Sequence, residues 1–405
     1  MRVVVCGAGI GGLSLAHALS RHVEVVVVER DVTAADTGGY RISIDDEACR
    51  ALGRLLPGAL LDEVRSLSDT GSAFEQFTIA DSRLRPIVVA PEPAGQDRIL
   101  AQRQLLRVLL ARDITATIRF GSTVRAVSQD QYGAAVTLTD GSVIEGDLVV
   151  AADGADSAVV ASILGRSPTR DLGLTGIAGW TPLSDASPPG YLRRGPALAF
   201  GPDGTGVFLS LHHPPATPTA DPLIAGLLGE PALIWGTITR SSRLTPTRDA
   251  AAEALVHQAT TLLDRWSPWL RERVSHSDAS RTAAFRFRAV DPAGPIAGWT
   301  PGVVTALGDA IHAMPPTGGR GASTAICDAA DLARAVDDHL QGAPLDQVLA
   351  RYQRRIVPRA RSAVRDSLGP VRVINALRHR PARLLARPVL NAAGALGAWR
   401  YRDAR

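Results

Sequence analysis

No lysine occurs in the 405 residues; all 44 basic side chains are arginine. A GC-rich coding bias is the simplest cause, but the absence has a chemical consequence. Schiff-base and pyridoxal-phosphate mechanisms need a lysine amine and are excluded. Cysteine is scarce too. Cys6, Cys49 and Cys327 fall in a predicted strand and two predicted helices without metal-ligand spacing, the pattern of reduced thiols in a cytoplasmic protein. Long hydrophobic runs are also missing. No apolar stretch approaches the roughly 18 residues needed to cross a bilayer, and residues 3–5 open a strand at once, so neither a membrane span nor a signal peptide is expected. Repeats and low-complexity linkers are likewise absent.

The positive charge is uneven. Residues 351–405 hold fourteen arginines against two aspartates, so the rest of the chain is net negative although the whole carries +4. Such a surplus suggests a nucleic-acid or acidic-membrane partner. Against that, Val371, Ile374, Leu377, Leu384 and Leu385 read as helix faces packed on the body. Aromatic residues barely interleave the arginines, and no nucleic-acid module is recognisable, so no nucleic acid is expected as a partner. The length allows a large core and two domains.

What is present begins at residue 2. Residues 2–6 form a β-branched apolar run, followed by Gly7-Ala8-Gly9-Ile10-Gly11-Gly12, a helical stretch over 13–20, and a second apolar run over 23–28 that ends in Glu29. Strand, G-x-G-x-x-G, helix, strand and acid within one βαβ unit form a dinucleotide fingerprint. The glycines permit a tight turn and close approach of a pyrophosphate, and Glu29 can accept from ribose hydroxyls. A second glycine-rich stretch lies late in the chain. A short apolar strand over 303–307 ends at Gly308-Asp309, Pro315 and Pro316 break regular structure, and Gly318, Gly319 and Gly321 let the backbone approach a ligand. From about Ala322, Ile326, Ala329, Ala330, Ala333 and Val336 recur near one helical face. The free N–H groups and positive dipole end of such a helix start suit something negative. No second G-x-G-x-x-G in a βαβ context provides for a nicotinamide cofactor.

These two motifs, with Asp153-Gly154-Ala155-Asp156-Ser157 between them, resemble those of the single-component flavin-dependent monooxygenases of the aromatic-hydroxylase type, a group that includes para-hydroxybenzoate hydroxylase and the tetracycline-modifying monooxygenases. The resemblance spans most of the chain. It implies an α/β protein: a Rossmann-like FAD-binding domain, a second, mostly antiparallel β-sheet substrate domain, and a C-terminal helical tail. Gly7, Gly9, Ile10 and Gly12, with Glu29 and Arg30, would hold the FAD pyrophosphate and adenosine ribose. Asp309 would meet the ribityl chain. Pro316, Gly318, Gly319, Arg320, Gly321 and Ala322 would lie beside the isoalloxazine, with Asp153 in the same cofactor set. Arg103 opens an Arg-x-x-Leu pattern that the family uses against FAD, where a guanidinium suits the pyrophosphate. Arg41 is either a cofactor contact or a solvated loop arginine. His312 reads as a hydrogen-bonded structural histidine rather than an acid–base catalyst. Two positions depart from the family: Val160 stands at the usual arginine, and Ser323 replaces the asparagine two places after the last loop glycine.

Residues 1–72, 97–172 and 285–340 are expected to build the FAD-binding domain. Residues 73–96 would add a hairpin, and 173–284 a sheet, to the substrate domain, leaving 341–405 as the helical region. Asp140-Gly141 suits a type I′ hairpin turn. On the strand over 207–212, Val207, Leu209 and Leu211 alternate with Phe208, Ser210 and His212. Phe208, His212 and Trp235 suit an apolar pocket or core packing, with Pro316 and Thr317 on the loop side.

The chemistry implied by the resemblance uses NADPH or NADH as a transient reductant of FAD. Oxygen adds at flavin C4a, and the hydroperoxide hydroxylates an electron-rich aromatic or polycyclic small molecule. The protein then needs positioning, water exclusion and electrostatics, but no catalytic side chain and no metal. Baeyer–Villiger oxidation and epoxidation remain open on the same fold, as do a dehydrogenase or oxidase without oxygen insertion and a non-catalytic flavoprotein. A cytoplasmic monomer or homodimer is expected.

Overall fold

The computed structural model describes residues 1–377 except 40, 71–74, 93–96, 131–132, 184–186, 202, 216–218, 245–250, 295, 297 and 300–301. It divides into two compact units, the first made of Met1–Ser68, Arg98–Arg170 and Arg288–Gly369, the second of Asp69–Asp97, Asp171–Phe287 and Pro370–Arg405.

The first unit is built on a parallel sheet. Its strands lie in the order Val304–Ala306, Leu148–Ala151, Arg2–Cys6, Glu24–Val28, Thr117–Arg119. Val3 to Cys6 and Leu148 to Ala151 are fully buried, as continuous apolar runs must be when helices cover both faces of a sheet. The strand order reverses between Arg2–Cys6 and Leu148–Ala151, and the crevice beyond their carboxyl ends is where open α/β sheets bind ligands. Helix Gly321–Leu340 packs against helices Ile10–Leu19 and Asp46–Leu55. The meander Val124–Gln129, Ala134–Leu138, Val143–Gly146 forms a small separate sheet. Its second turn is not type I′. Gly141 alone has positive φ, at 87°, and Leu138 N–H bonds the Ser142 carbonyl at 2.9 Å. Asp140 instead uses its carboxylate to accept the Ser142 N–H at 2.9 Å, so the side chain closes the loop that a positive φ would have closed.

The second unit carries a seven-stranded sheet in the order Ala283–Ala289, Arg170–Pro182, Ala232–Arg240, Gly206–His212, Ala197–Phe200, Gln76–Asp81, Pro86–Pro91. Neighbours are antiparallel except Ala197–Phe200 with Gln76–Asp81, which run parallel, among the pairs whose register is described. Helices Ala252–Leu262 and Pro268–Ser275 cover one face through Leu255, Ala259, Leu270 and Val274. The other face buries Leu198, Ile238 and Phe287 with Val371 and Ile374. Those last two belong to helix Leu345–Leu377, so this part of the arginine-rich tail is a packed helix face; Leu384 and Leu385 lie outside the described residues. Among the described residues, no helix is long and apolar enough to cross a membrane.

Trp235 sits with the helix-covered face and is fully buried. Its ring lies against Gly179, where an added Cβ would fall 2.3 Å from Cζ2, and its Nε1 donates to Ser277 Oγ at 2.8 Å. Trp235 pairs in register with Leu209, so it shares that residue's face; Phe208 and His212 point to the other. The sheet therefore does not assemble Phe208, His212 and Trp235 into one pocket wall. Trp235→Ala should lower unfolding stability by about 3–5 kcal/mol, the cost of emptying such a site, read as a shifted denaturant midpoint.

Candidate cofactor-binding site

The glycine-rich turn after Arg2–Cys6 separates into glycines that the fold needs and one that it does not. Gly7 has φ 116°, and an added Cβ would lie 2.2 Å from the Ala152 carbonyl oxygen at the crevice. A Cβ on Gly12 would lie 2.1 Å from the Gly7 carbonyl oxygen. Gly9 is different. Its backbone is extended, and a Cβ there meets nothing within 4 Å. The space beside it leaves room for a ligand such as a pyrophosphate to approach the backbone.

Glu29 ends the second strand, is 8% exposed, and accepts the Ala8 N–H at 2.8 Å and the Asp31 N–H at 2.9 Å. Beneath it lies Arg107, a residue sequence reasoning missed. Its guanidinium is buried, contacting Glu29 Oε2 at 3.1 Å, Asp31 Oδ2 at 2.7 Å and the Ala8 carbonyl at 2.7 Å. One signal was available: an arginine inside the otherwise apolar inner face formed by Leu105, Leu106, Leu109 and Leu110. Arg30 is largely exposed and lies 3.8 Å from Asp31. Ile10 is buried in the first helical turn.

Asp153 stands across the turn, at the end of Leu148–Ala151. Its Oδ2 accepts the Ala158 N–H at 2.8 Å, whereas its buried Oδ1 has no protein partner. Burial raises its carboxyl above the ordinary value, against the pull of Ser157 and nearby N–H groups. Val160, at the family's arginine position, is buried and donates its N–H to Ser157 Oγ at 2.9 Å.

Asp309 is exposed at the start of the short helix Asp309–His312, and Gly308 before it takes φ 61°. Even so, enough protein surrounds the carboxyl for desolvation to raise it, opposed by His312 and Arg103. Among the described residues nothing donates a hydrogen bond to it. Arg103 hydrogen-bonds the Gly38 carbonyl; burial lowers its guanidinium, and Asp309 is the first charge opposing that shift. Arg41 is half-buried opposite Gln102, and burial pushes its guanidinium down to about 9. It is therefore not a solvated loop arginine.

His312 is fully buried, with Nε2 2.5 Å from Asp328 Oδ2. The same oxygen accepts the Gly308 N–H at 3.2 Å, and Asp328 Oδ1 accepts from Arg359 Nη2 at 2.9 Å. Asp331 extends the cluster to Arg359 at 2.8 Å and Arg355 at 2.8 Å. Burial works against charge on His312, but Asp328 more than offsets it and raises the imidazole. Burial likewise opposes charge on Asp328, but His312 and Arg359 hold its carboxyl below the ordinary range.

The loop 315–321 is braced from behind. Thr317 Oγ1 donates to the Ser367 carbonyl at 2.6 Å, and Arg320 lies 3.6 Å from Asp366. A Cβ on Gly318 would fall 2.4 Å from Ser367 Oγ, so packing alone requires glycine here. Gly319 turns the chain with φ 62°, Pro316 is exposed, and Gly321 begins the helix, its Cβ position 3.8 Å from Asp309 Oδ1. Ala322 lies in the same first turn. Ser323, in place of the family's asparagine, accepts the Asp45 N–H at 3.0 Å and donates to the Ser43 carbonyl at 3.2 Å.

Within the first unit the structure thus gathers the Gly9 turn, Glu29, Arg103, Asp153, Asp309 and the Gly321 helix start. Unused capacity at Gly9, Asp153 Oδ1 and Asp309 fits a dinucleotide flavin. Residues 1–187 and 272–367 match the FAD binding domain family. The chain belongs to that family, whose cofactor is FAD. Among its relatives, the aurachin C monooxygenase/isomerase of Stigmatella aurantiaca is 27% identical, aligning 91% of this chain with 88% of that protein. A dual O-methyltransferase/FAD-dependent monooxygenase of Phaeosphaeria nodorum is 29% identical over 82% of this chain. The chain spans only 40% of that relative's length, and 46% of a similar dual enzyme from Cercospora beticola. The solved structure of a candidate FAD-containing monooxygenase from Photorhabdus luminescens superposes with a TM-score of 0.77 at 26% identity, covering 94% of this chain and 99% of that one. Among the described residues no group of histidine, cysteine and acidic side chains could hold a metal ion.

Gly9→Val should fold with the thermal stability of the FAD-free wild type yet purify colourless, whereas Gly12→Ala should lose stability in apoprotein as well; absorbance and melting curves separate the two. A second expectation concerns pH. A raised imidazole stabilises the fold fully below its ordinary value of 6.5, and that contribution fades as pH rises through the folded value. The melting-temperature gap between wild type and His312→Gln should therefore be widest at about pH 6 and narrow as the solution is made alkaline.

Proposed function

We propose that the chain is an FAD-dependent monooxygenase that takes electrons from NADH or NADPH and places one atom of O2 on an aromatic or polycyclic small molecule. The observation that carries this reading is the helix start at Gly321, whose Cβ position lies 3.8 Å from Asp309 Oδ1, beside the glycine-rich turn of the parallel sheet. Its support is the set of relatives that cover most of this chain: an FAD-dependent urate hydroxylase of Klebsiella pneumoniae, aligned over 81% of it, and a rice zeaxanthin epoxidase, aligned over 94%. Bound FAD supplies electron transfer from the nicotinamide and activation of oxygen.

The protein's own contribution is placement and charge. Glu29 accepts from the ribose, and the open face of Gly9 admits the pyrophosphate. Arg103 neutralises phosphate charge, and Asp309 orients the ribityl hydroxyls. The N–H groups at the Gly321 helix start, with Arg320, favour negative charge on the reduced ring. Phe208 is partly buried against the cluster of Leu198, Ile238, Val371 and Ile374, and its remaining exposed surface is what is kept as a substrate contact; His212 is buried and bound to the Leu228 carbonyl at 2.7 Å, and Trp235 is core.

The test supplies purified holoprotein with NADPH, isotopically labelled oxygen gas and a panel of aromatic and polycyclic compounds. One labelled atom in the product is expected, as an alcohol, an epoxide or an ester according to substrate. Arg320→Ala should slow flavin reduction more than it weakens FAD binding. Unlabelled product made anaerobically with an acceptor dye would establish a dehydrogenase instead.

A further inference from the structure

Arg107 is an almost fully enclosed charge beneath the glycine-rich turn of the first unit. Its side chain is 4% exposed, and every contact it makes leads to the same place. Nε donates to the Ala8 carbonyl, inside the glycine-rich turn. Nη2 reaches Glu29, the acid that closes the fingerprint, and Nη1 reaches Asp31, two residues further on. Glu29 in turn accepts the N–H of Ala8. One planar guanidinium therefore fastens the turn, the strand end and the following loop into a closed ring of hydrogen bonds.

We propose that Arg107 is the positioning residue for the adenosine half of FAD, and that the Glu29–Asp31 pair it joins is a two-carboxylate ribose site. The guanidinium fork is what the geometry requires. It is planar, carries donors in several directions at once, and stays charged when buried. Without it, two carboxylates would face one another across a few ångströms of protein, Glu29 almost entirely out of water. Like charges so placed repel, and an unpaired buried charge is costly. Arg107 keeps both acids available as acceptors and fixes where their oxygens point, while touching no part of the isoalloxazine end. It also sets the height of the Ala8 peptide, hence of the neighbouring Gly9 face.

This inference concerns cofactor binding alone, so its fate is separate from that of the oxygenase reading. The experiment titrates apoprotein with FAD and, separately, with ADP as a probe of the adenosine half. Arg107→Gln should raise both dissociation constants by about 10- to 100-fold, the range for losing hydrogen bonds to charged groups. At FAD saturation the flavin absorbance bands should match wild type, because the ring environment is untouched. Arg107→Lys, which restores charge without the fork, should recover part of the loss. Asp31→Asn, which leaves the Arg107–Glu29 contact in place, should weaken FAD and ADP by a smaller factor and keeps the proposal testable if Arg107→Gln does not fold. Unchanged affinity for both ligands in Arg107→Gln and Asp31→Asn would overturn it, as would FAD weakened with ADP unaffected or altered flavin bands at saturation.

Discussion

The half of the proposed cofactor site around Asp309 depends on one buried carboxylate. Asp328 holds the Gly308 N–H, the His312 ring and the Arg359 guanidinium at once, within a fully buried setting. Gly308 and His312 bracket Asp309, so the position of the cofactor carboxylate is set by contacts on both sides of it. Taking these charges out of water costs several kcal/mol per ion, and mutual attraction returns it only when geometry and hydrogen bonding are complete. The cluster is therefore weak evidence for stability and stronger evidence for a fixed arrangement. It holds a short helix whose first residue has to face outward while its last is sealed inside.

Three arginines of the C-terminal segment, among its described residues, pair with acids in or beside the same cluster. Read along the chain, fourteen arginines over residues 351–405 resemble a polyanion-binding tail. In the fold, Arg359 meets Asp328 and Asp331, Arg355 meets Asp331, and Arg351 lies 3.6 Å from Asp338. The balancing acids sit on helix Gly321–Leu340 in the preceding segment. For these three arginines, segregation of charge in sequence is complementarity in space, between two helices that pack. That pairing is invisible to any window of sequence, because it links residues about thirty apart through a crossing of helices.

How much of the site was legible follows the same division. The glycine turn, Glu29, Asp309 and the helix start at Gly321 each rest on local backbone chemistry, and local chemistry is written in adjacent residues. Ser323 and Arg107 act through partners 278 and 76 or more residues away, so their roles emerge only with the fold. The sheet shows a different limit. Alternation along Gly206–His212 sorts its side chains into two faces, but which face Trp235 joins depends on register with the next strand. A slip of one residue would have placed it beside Phe208. Even the glycines divide this way: Gly9 and Gly318 look alike in sequence, yet one faces open space and the other the flank of a helix.

The two ends of the cofactor site use one physical device. At the proposed adenosine end, Glu29 accepts the N–H of Ala8 within a glycine turn and is countered by Arg107. At the proposed flavin end, Asp328 accepts the N–H of Gly308 beside a second glycine-bearing turn and is countered by Arg359. In each case a carboxylate holds a peptide whose neighbour presents itself to the ligand, and a guanidinium from a later helix makes that carboxylate tolerable in the interior. A glycine turn by itself is permissive and would sample many conformations. Anchoring its N–H to a charged acceptor held by a guanidinium removes that freedom before the cofactor arrives, so less ordering remains to be done on binding. The same logic explains why arginine carries both roles. An ammonium group cannot span turn, strand and loop from one position, and in this chain every such post is filled by a fork.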